Sequence, residues 1–223
     1  MPRPFSLGGL PIPFRRTTPL DALLGAADDA LRTLSGAVAA SRPTPATSRA
    51  VPGLDDDRRH SAGLMRVNHT GEVCAQALYS GQALVAREPR VREALQDAAG
   101  EERDHLAWCR DRLADLGEGP SLLDPLWYAG SFAWGVASGL AGDRWSLAFL
   151  VETEAQVERH LEGHLDRLPE SDSASREIVD RMREDEMRHG ASGRMLGAAE
   201  LPGFVKAAMR AAARVMTRTA FRI

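Results

Sequence analysis

The sequence predicts an all-α chain built on a four-helix bundle, and three observations predict it. Proline and glycine divide the chain into pieces of helix length, no alternating apolar run is bounded by hairpin turns, and apolar residues within the pieces recur every three or four positions. With 223 residues, 43% hydrophobic and 26% charged, the chain can bury one ordinary core, which excludes collagen, disorder and multi-domain arrays.

The elements follow in order. An opening arm to about Pro19 is rich in Pro and Gly; Leu20, Leu23, Leu24, Ala27, Leu31 and Leu34 then form a short amphipathic stripe beginning near Asp21. Residues 41–57, rich in Pro, Thr, Ser and acid, read as a linker, so residues 1–60 are expected to form an arm with one short helix and 61–223 the helical domain. Four longer helices are expected at about 62–87, closed by Pro89, 90–116, closed by Gly117, 143–168, closed by Pro169, and 174–198. A basic amphipathic helix follows at about 202–221. Between the second and third long helices, Pro125 to Gly142 holds no charged residue but carries Trp127, Tyr128, Phe132 and Trp134. A membrane span needs about 20 apolar residues, so two readings stay open: a buried connector crossing the bundle, or a segment dipping into a bilayer interface.

The net charge of -3 supplies no general field for nucleic acid, and no such partner is expected. Cys74 and Cys109 cannot build a disulfide scaffold or a four-cysteine zinc site, and without a positioned His and acid they read as packing residues in a reducing compartment. Pro11, Pro13 and Pro19 break the apolar stretches around Arg15 and Arg16, so no secretory signal is expected and the chain is expected to start here, in the cytoplasm. No acid follows Glu200, whereas Lys206, Arg210, Arg214, Arg218 and Arg222 do. At steps of four these share a broad face suited to anionic headgroups.

The chemistry lies where acids interrupt apolar stripes. In the second long helix Val91, Leu95, Ala98, Cys109 and Leu116 are interrupted by Glu102 and His105; in the fourth, Ile178, Met182, Gly193 and Leu196 flank Glu186 and His189. Each pair is Glu-x-x-His, which puts a carboxylate and an imidazole on one helix face. Glu72 lies in line with Met65, Asn68, Ala75 and Tyr79, and Glu154 with Val151, Glu158 and Leu161, so the first and third helices each offer an inward Glu without His. Glu72 to Glu102 is 30 residues and Glu154 to Glu186 is 32, an internal repeat that brings all six side chains level in antiparallel neighbours. Buried unpaired carboxylates cost several kcal/mol each unless a cation compensates. Mixed oxygen and nitrogen donors suit iron or manganese, and the pattern is that of the ferritin-like carboxylate bundles.

The stretches Arg66-Val67-Asn68-His69-Thr70-Gly71-Glu72, Glu101-Glu102-Arg103-Asp104-His105-Leu106, Pro125-Leu126-Trp127 and Glu184-Asp185-Glu186-Met187-Arg188-His189 closely resemble the demethoxyubiquinone hydroxylase family of ubiquinone biosynthesis. The resemblance covers about residues 60 to 220. It implies a ferritin-like di-iron monooxygenase, peripheral on the cytoplasmic face of the cell membrane, that hydroxylates a polyprenylated 3-methyl-6-methoxy-1,4-benzoquinol with molecular oxygen. By position, Glu72, Glu102 and His105 would serve one of two irons and Glu154, Glu186 and His189 the other, some carboxylates bridging. The choice of Glu154 over Glu152 rests on its stripe and on the His that the family places six residues later, here His160. Six residues rotate about 240° in a regular helix, so Glu158 is expected to point inward better than His160; both are candidates to support the ligands. His69 is expected at a helix start or beside the ligands, and His60 and His164 are expected exposed. The uncharged stretch and the basic terminal helix would dock on lipid, and the resemblance suggests a quinone-synthesis assembly or a homo-oligomer. Two other functions compete: a ferritin-like iron oxidase or storage protein, and a metal-free helical adaptor at the membrane whose carboxylates pair with arginines.

Overall fold

A computed structural model describes residues 18–223; the expected opening arm lies outside them except at its end. Among the described residues there are seven helices and no strand: α1 (Pro19–Ser35), α2 (Asp55–Val85), α3 (Pro89–Asp115), α4 (Asp124–Leu140), α5 (Asp143–Arg167), α6 (Ser173–Met195) and α7 (Gly203–Ala220). The helix starts follow local chemistry. Thr18 caps α1 in a reciprocal box with Asp21, Pro89 opens α3, and Asp172 accepts the Ser175 amide at 3.0 Å to cap α6. The linker expected to reach Asp57 ends earlier, because Asp55, Asp56 and Asp57 form the first turn of α2, where acid complements the helix dipole.

Helices α2, α3, α5 and α6 form the bundle, and its core has two apolar layers. One joins Leu64 and Met65 of α2, Trp108 and Leu113 of α3, Leu161 of α5 and Ile178 and Met182 of α6. The other joins Leu78 and Tyr79, Leu95 and Ala98, and Leu147 and Leu150. The order of these contacts along each chain segment makes α2 antiparallel to α3 and α5 antiparallel to α6. Since α3 ends at one layer and α5 starts at the other, the chain must travel the length of the bundle between them.

That return is α4, which runs beside α2 in the same direction. The uncharged stretch is therefore a surface helix and not a connector buried through the core. Its buried residues are few, Tyr128, Gly135 and Ser138 among them, while Leu126, Trp134 and Leu140 are exposed. Glycine makes the close approach to α2 feasible: a Cβ on Gly81 would lie 2.5 Å from the Phe132 carbonyl oxygen, and one on Gly135 would strike the Leu78 backbone. Asp124 ties the start of α4 down, accepting a hydrogen bond from Thr70 at 2.7 Å. No helix among the described residues is long and apolar enough to cross a membrane.

Two helices lie outside the bundle. Helix α1 packs through Ala30 on the cluster of Val73, Ala77, Leu106 and Tyr128, yet Leu20, Leu23, Leu24 and Leu31 face outward. Helix α7 is a surface helix anchored at its far end, where Ala220 is buried and Phe221 lies against Gly63.

Candidate metal centre

Between the two apolar layers sits one polar layer. It gathers the six side chains that interrupt the stripes into two overlapping groups, Glu72, Glu102, His105 and Glu186, and Glu102, Glu154, Glu186 and His189; in each, the donor atoms lie within 4.8 Å of one another. All six are buried. Glu102 and Glu186 belong to both groups, so the paired-motif carboxylates stand in the middle, with Glu72 on one side and Glu154 on the other. His105 Nδ1 lies 2.9 Å from Glu102 and 3.5 Å from Glu186, and His189 Nδ1 lies 3.2 Å from Glu102 and 3.7 Å from Glu154. The choice of Glu154 over its neighbour matches this placement: Glu152 accepts from Gln156 at 2.8 Å and lies 3.7 Å from Lys206 of α7.

The electrostatics are those of a cation site. Burial, reinforced by the charges of Glu102 and Glu186, pushes the Glu72 and Glu154 carboxyls well above the usual range. Burial acts on Glu102 too, but the nearness of His105 and His189 outweighs it and holds that carboxyl low. His189 shows the mirror effect, since burial opposes its charge yet Glu102 and Glu186 push its pKa up to about 10. Without a cation, protons must balance four carboxylates in a dry layer. Glu102 Oε1, Glu154 Oε2, Glu186 Oε2 and both ring nitrogens of His189 are buried without a hydrogen-bond partner. Orphaned donor atoms converging from three helices fit a bound metal, because a metal satisfies lone pairs that no protein donor reaches.

Sequence reasoning missed the residues that aim the histidines. Asp185 Oδ2 lies 3.0 Å from His105 Nε2 and accepts from Arg42 at 2.8 Å, while Asp185 Oδ1 is held by Arg181 at 3.2 Å and by Arg188. Burial would raise the Asp185 carboxyl, but His105, Arg188 and Arg42 hold it low instead. An acceptor on Nε2 keeps the proton there and leaves the Nδ1 lone pair for the centre. Glu101 approaches His189 Nε2 at 3.4 Å in the same sense. Each backing acid immediately precedes the Glu of the opposite motif, so the repeat itself carried the signal. Tyr79, fully buried, donates to Glu154.

Other expectations need correction. Neither Glu158 nor His160 joins the two groups. Glu158 is one turn beyond Glu154, about 6 Å along the axis, and so leaves the polar layer. His160 rotates away as helix geometry requires and packs on His164 with ring centroids 3.9 Å apart. His164, expected exposed, is 2% exposed, and His60 is half-buried against Phe221. Burial, then Arg167, lowers the His160 pKa to about 4; burial, His160 and Arg167 lower that of His164 to about 2. His69 is mid-helix, since α2 starts at Asp55, and its Nδ1 lies 3.1 Å from Asp124, tying α2 to α4. Cys109 packs on Met182 at 3.7 Å, as a packing residue should.

Residues 59–220, which hold all six gathered side chains, match the family described as ubiquinone biosynthesis protein COQ7. The chain belongs to this family. It is 55% identical over 216 residues to the 3-demethoxyubiquinol 3-hydroxylase of Ralstonia pickettii (strain 12J), covering 92% of this chain and 100% of the relative. It is 58% identical over 209 residues to the protein of the same name from Bordetella petrii, covering 93% of each. The family makes this an enzyme of ubiquinone biosynthesis, and a buried Glu/His cluster at the level where four helices meet is compatible with the metal such a hydroxylase would use.

Proposed function

We propose that the chain is a 3-demethoxyubiquinol 3-hydroxylase that adds oxygen to the ring of a polyprenylated 3-methyl-6-methoxy-1,4-benzoquinol, using two iron ions and molecular oxygen. The observation that carries this reading is the pair of four-residue groups sharing Glu102 and Glu186, with orphaned oxygens between them. Glu72, Glu102, His105 and Glu186 would hold one ion and Glu102, Glu154, Glu186 and His189 the other. Four carboxylates against two divalent cations leave the layer near neutral. When bound, the irons supply the redox chemistry with oxygen that side chains lack.

The chain's own residues do the rest. Two apolar layers keep bulk water from the centre, Asp185 and Glu101 orient its histidines, and Tyr79 holds the Glu154 carboxylate by its phenolic hydrogen. A cavity of about 620 Å³ between α1, α2 and α3 supports a place for the ring, since Tyr79 forms part of its wall together with Ala83, Leu95 and Ala99, and Gln96 and Arg103 offer donors to ring oxygens. The competing adaptor reading requires the carboxylates to pair with arginines, but Arg42, Arg181 and Arg188 pair with Asp104, Asp185 and Glu101 instead.

A substrate with an isoprenoid tail lives in a bilayer, and we place the enzyme peripherally on the cytoplasmic face of the cell membrane. The exposed Arg210, Arg214 and Arg218 of α7 support an anionic lipid contact, with Leu126, Trp134 and Leu140 of α4 as apolar contacts. Replacing the three arginines with Gln is expected to release the protein from anionic vesicles; undiminished binding rejects this docking mode. The deciding experiment is oxygen-dependent hydroxylation of a demethoxyquinol by iron-loaded protein, with Glu186→Ala as control. Iron oxidation without ring hydroxylation would instead support the storage-protein reading.

A further inference from the structure

The bundle leaves α1 with its apolar side turned outward. Leu20, Leu24, Ala27, Leu31 and Leu34 are all exposed, Leu20 at 62%, Leu24 at 60% and Leu31 at 70%. The opposite side does the packing, with Ala26 and Asp29 on the cavity, Ala30 on the cluster around Val73, and Thr33 buried. Along the exposed stripe the steps are four, three, four and three. That is the a/d seam of a coiled coil over two heptads, with Leu at four of its five places and no polar residue. A helix that had only to rest on its own bundle would turn its leucines inward. This one turns alanines inward.

Charge decides what covers the seam. Helix α1 carries Asp21, Asp28 and Asp29 against Arg32, but Asp21 and Asp29 line the cavity on the inner side and Arg32 lies 2.6 Å from Asp28, so the flank of the seam is near neutral and offers no spare basic residue. An anionic bilayer that attracts α7 finds no free basic residue here to hold it. A second α1 fits it better. The seam is nearly symmetric about Ala27, with leucines three and seven residues before it and four and seven after, so a reversed copy meets it leucine to leucine. Reversal opposes the helix dipoles, whereas a parallel pair sets like ends side by side.

We propose that this heptad seam is a self-docking surface through which two copies of the chain pair by antiparallel α1 helices. At 17 residues α1 is about 26 Å long, and interfaces below about 1,200 Å² are of the weak kind, so the pair forms and dissociates with concentration. Pairing backs the helix whose inner side walls the cavity at Tyr79.

The test is sedimentation velocity of the full, metal-loaded chain over a wide concentration range without lipid. A monomer–dimer equilibrium is expected, and Leu31→Asp, at an exposed position, is expected to weaken it about tenfold or more while leaving the helical content and melt unchanged. Ala27→Cys is expected to cross-link copies on oxidation. Leu20→Cys, whose thiols stand at opposite ends of an antiparallel pair, is not. A chain monomeric at every concentration overturns the proposal, as does a dimer that Leu31→Asp leaves intact. Equal cross-linking at both cysteine variants overturns the antiparallel pairing. Two further results overturn it by naming another occupant: Leu31→Asp abolishing binding to anionic vesicles while the parent chain stays monomeric, which assigns the seam to lipid, and a dimer appearing only after residues 2–16 are removed, which assigns it to the arm.

Discussion

The two halves of the repeat present the same motif in unequal surroundings. His105 is sealed, 0% exposed, with Glu102 2.9 Å from one ring nitrogen and Asp185 3.0 Å from the other. His189 is 7% exposed, its backing acid Glu101 is half-buried 3.4 Å away, and neither ring nitrogen makes a hydrogen bond. The difference comes from a segment outside the repeat. Ser41 and Arg42, between α1 and α2, strap Asp104 and Asp185 together on the His105 side, with Arg42 2.8 Å from Asp185 and the Ser41 amide 2.6 Å from Asp104. Sequence symmetry thus produces two ligand sets, and the asymmetric strap makes one of them tighter.

The largest effect should ignore this asymmetry. Glu186→Ala removes a donor common to both groups, so both metals and activity are expected to fall by more than the about 10–100-fold that an outer partner costs; metal analysis and turnover check it. If only one metal is lost, the carboxylate is not shared. Complete metal removal comes next. It leaves four buried carboxylates facing one another, and at roughly 2–4 °C per kcal/mol for a chain of this size the melt is expected to drop by many degrees. An unchanged melt in metal-free protein argues against a buried site. Partial chelation sharpens the comparison, because the His189 half is expected to empty first.

Asp185→Asn and Glu101→Gln test the halves directly. The first is expected to weaken metal binding by about 10–100-fold, as an outer-partner loss should, and the second by less, since Glu101 is farther and wetter; equal losses would erase the distinction drawn from the strap. The smallest effect concerns acid. The half holding α5 carries His160 and His164, where α2 has Leu78 and Gln82 at the matching places of the repeat. Both histidines are neutral in the fold, with pKa values of about 4 and about 2, below the ordinary value near 6.5. The unfolded chain therefore takes up protons first, so stability is full above about pH 6.5 and declines as pH falls through about 4. His164→Leu is expected to blunt that decline in acid melts, and an unchanged acid profile would exclude these histidines as its source.

Much of this was legible because it depends on local periodicity. Helix ends at Pro89 and Gly117, the Glu-x-x-His pairs and the 30-residue spacing require only that residues three or four apart share a face. The same reasoning found the rotation that carries His160 away from Glu154, yet it misjudged Glu158, since angle can be read along one helix while height relative to three others cannot. Burial of His164 was equally hidden, because it depends on packing against other helices, with His60 of α2 nearby, that no local pattern names.

By itself the sequence determined the helical class, the six converging donors and the family, for these are set by spacing along single helices and by motif wording. Tertiary structure alone decided which carboxylates stand between both groups, that Asp185 and Arg42 brace His105, and that α1 shows its leucines to the outside. Each of these is a choice of partner across elements, made when packing one face of a helix commits the remaining face to whatever lies beyond.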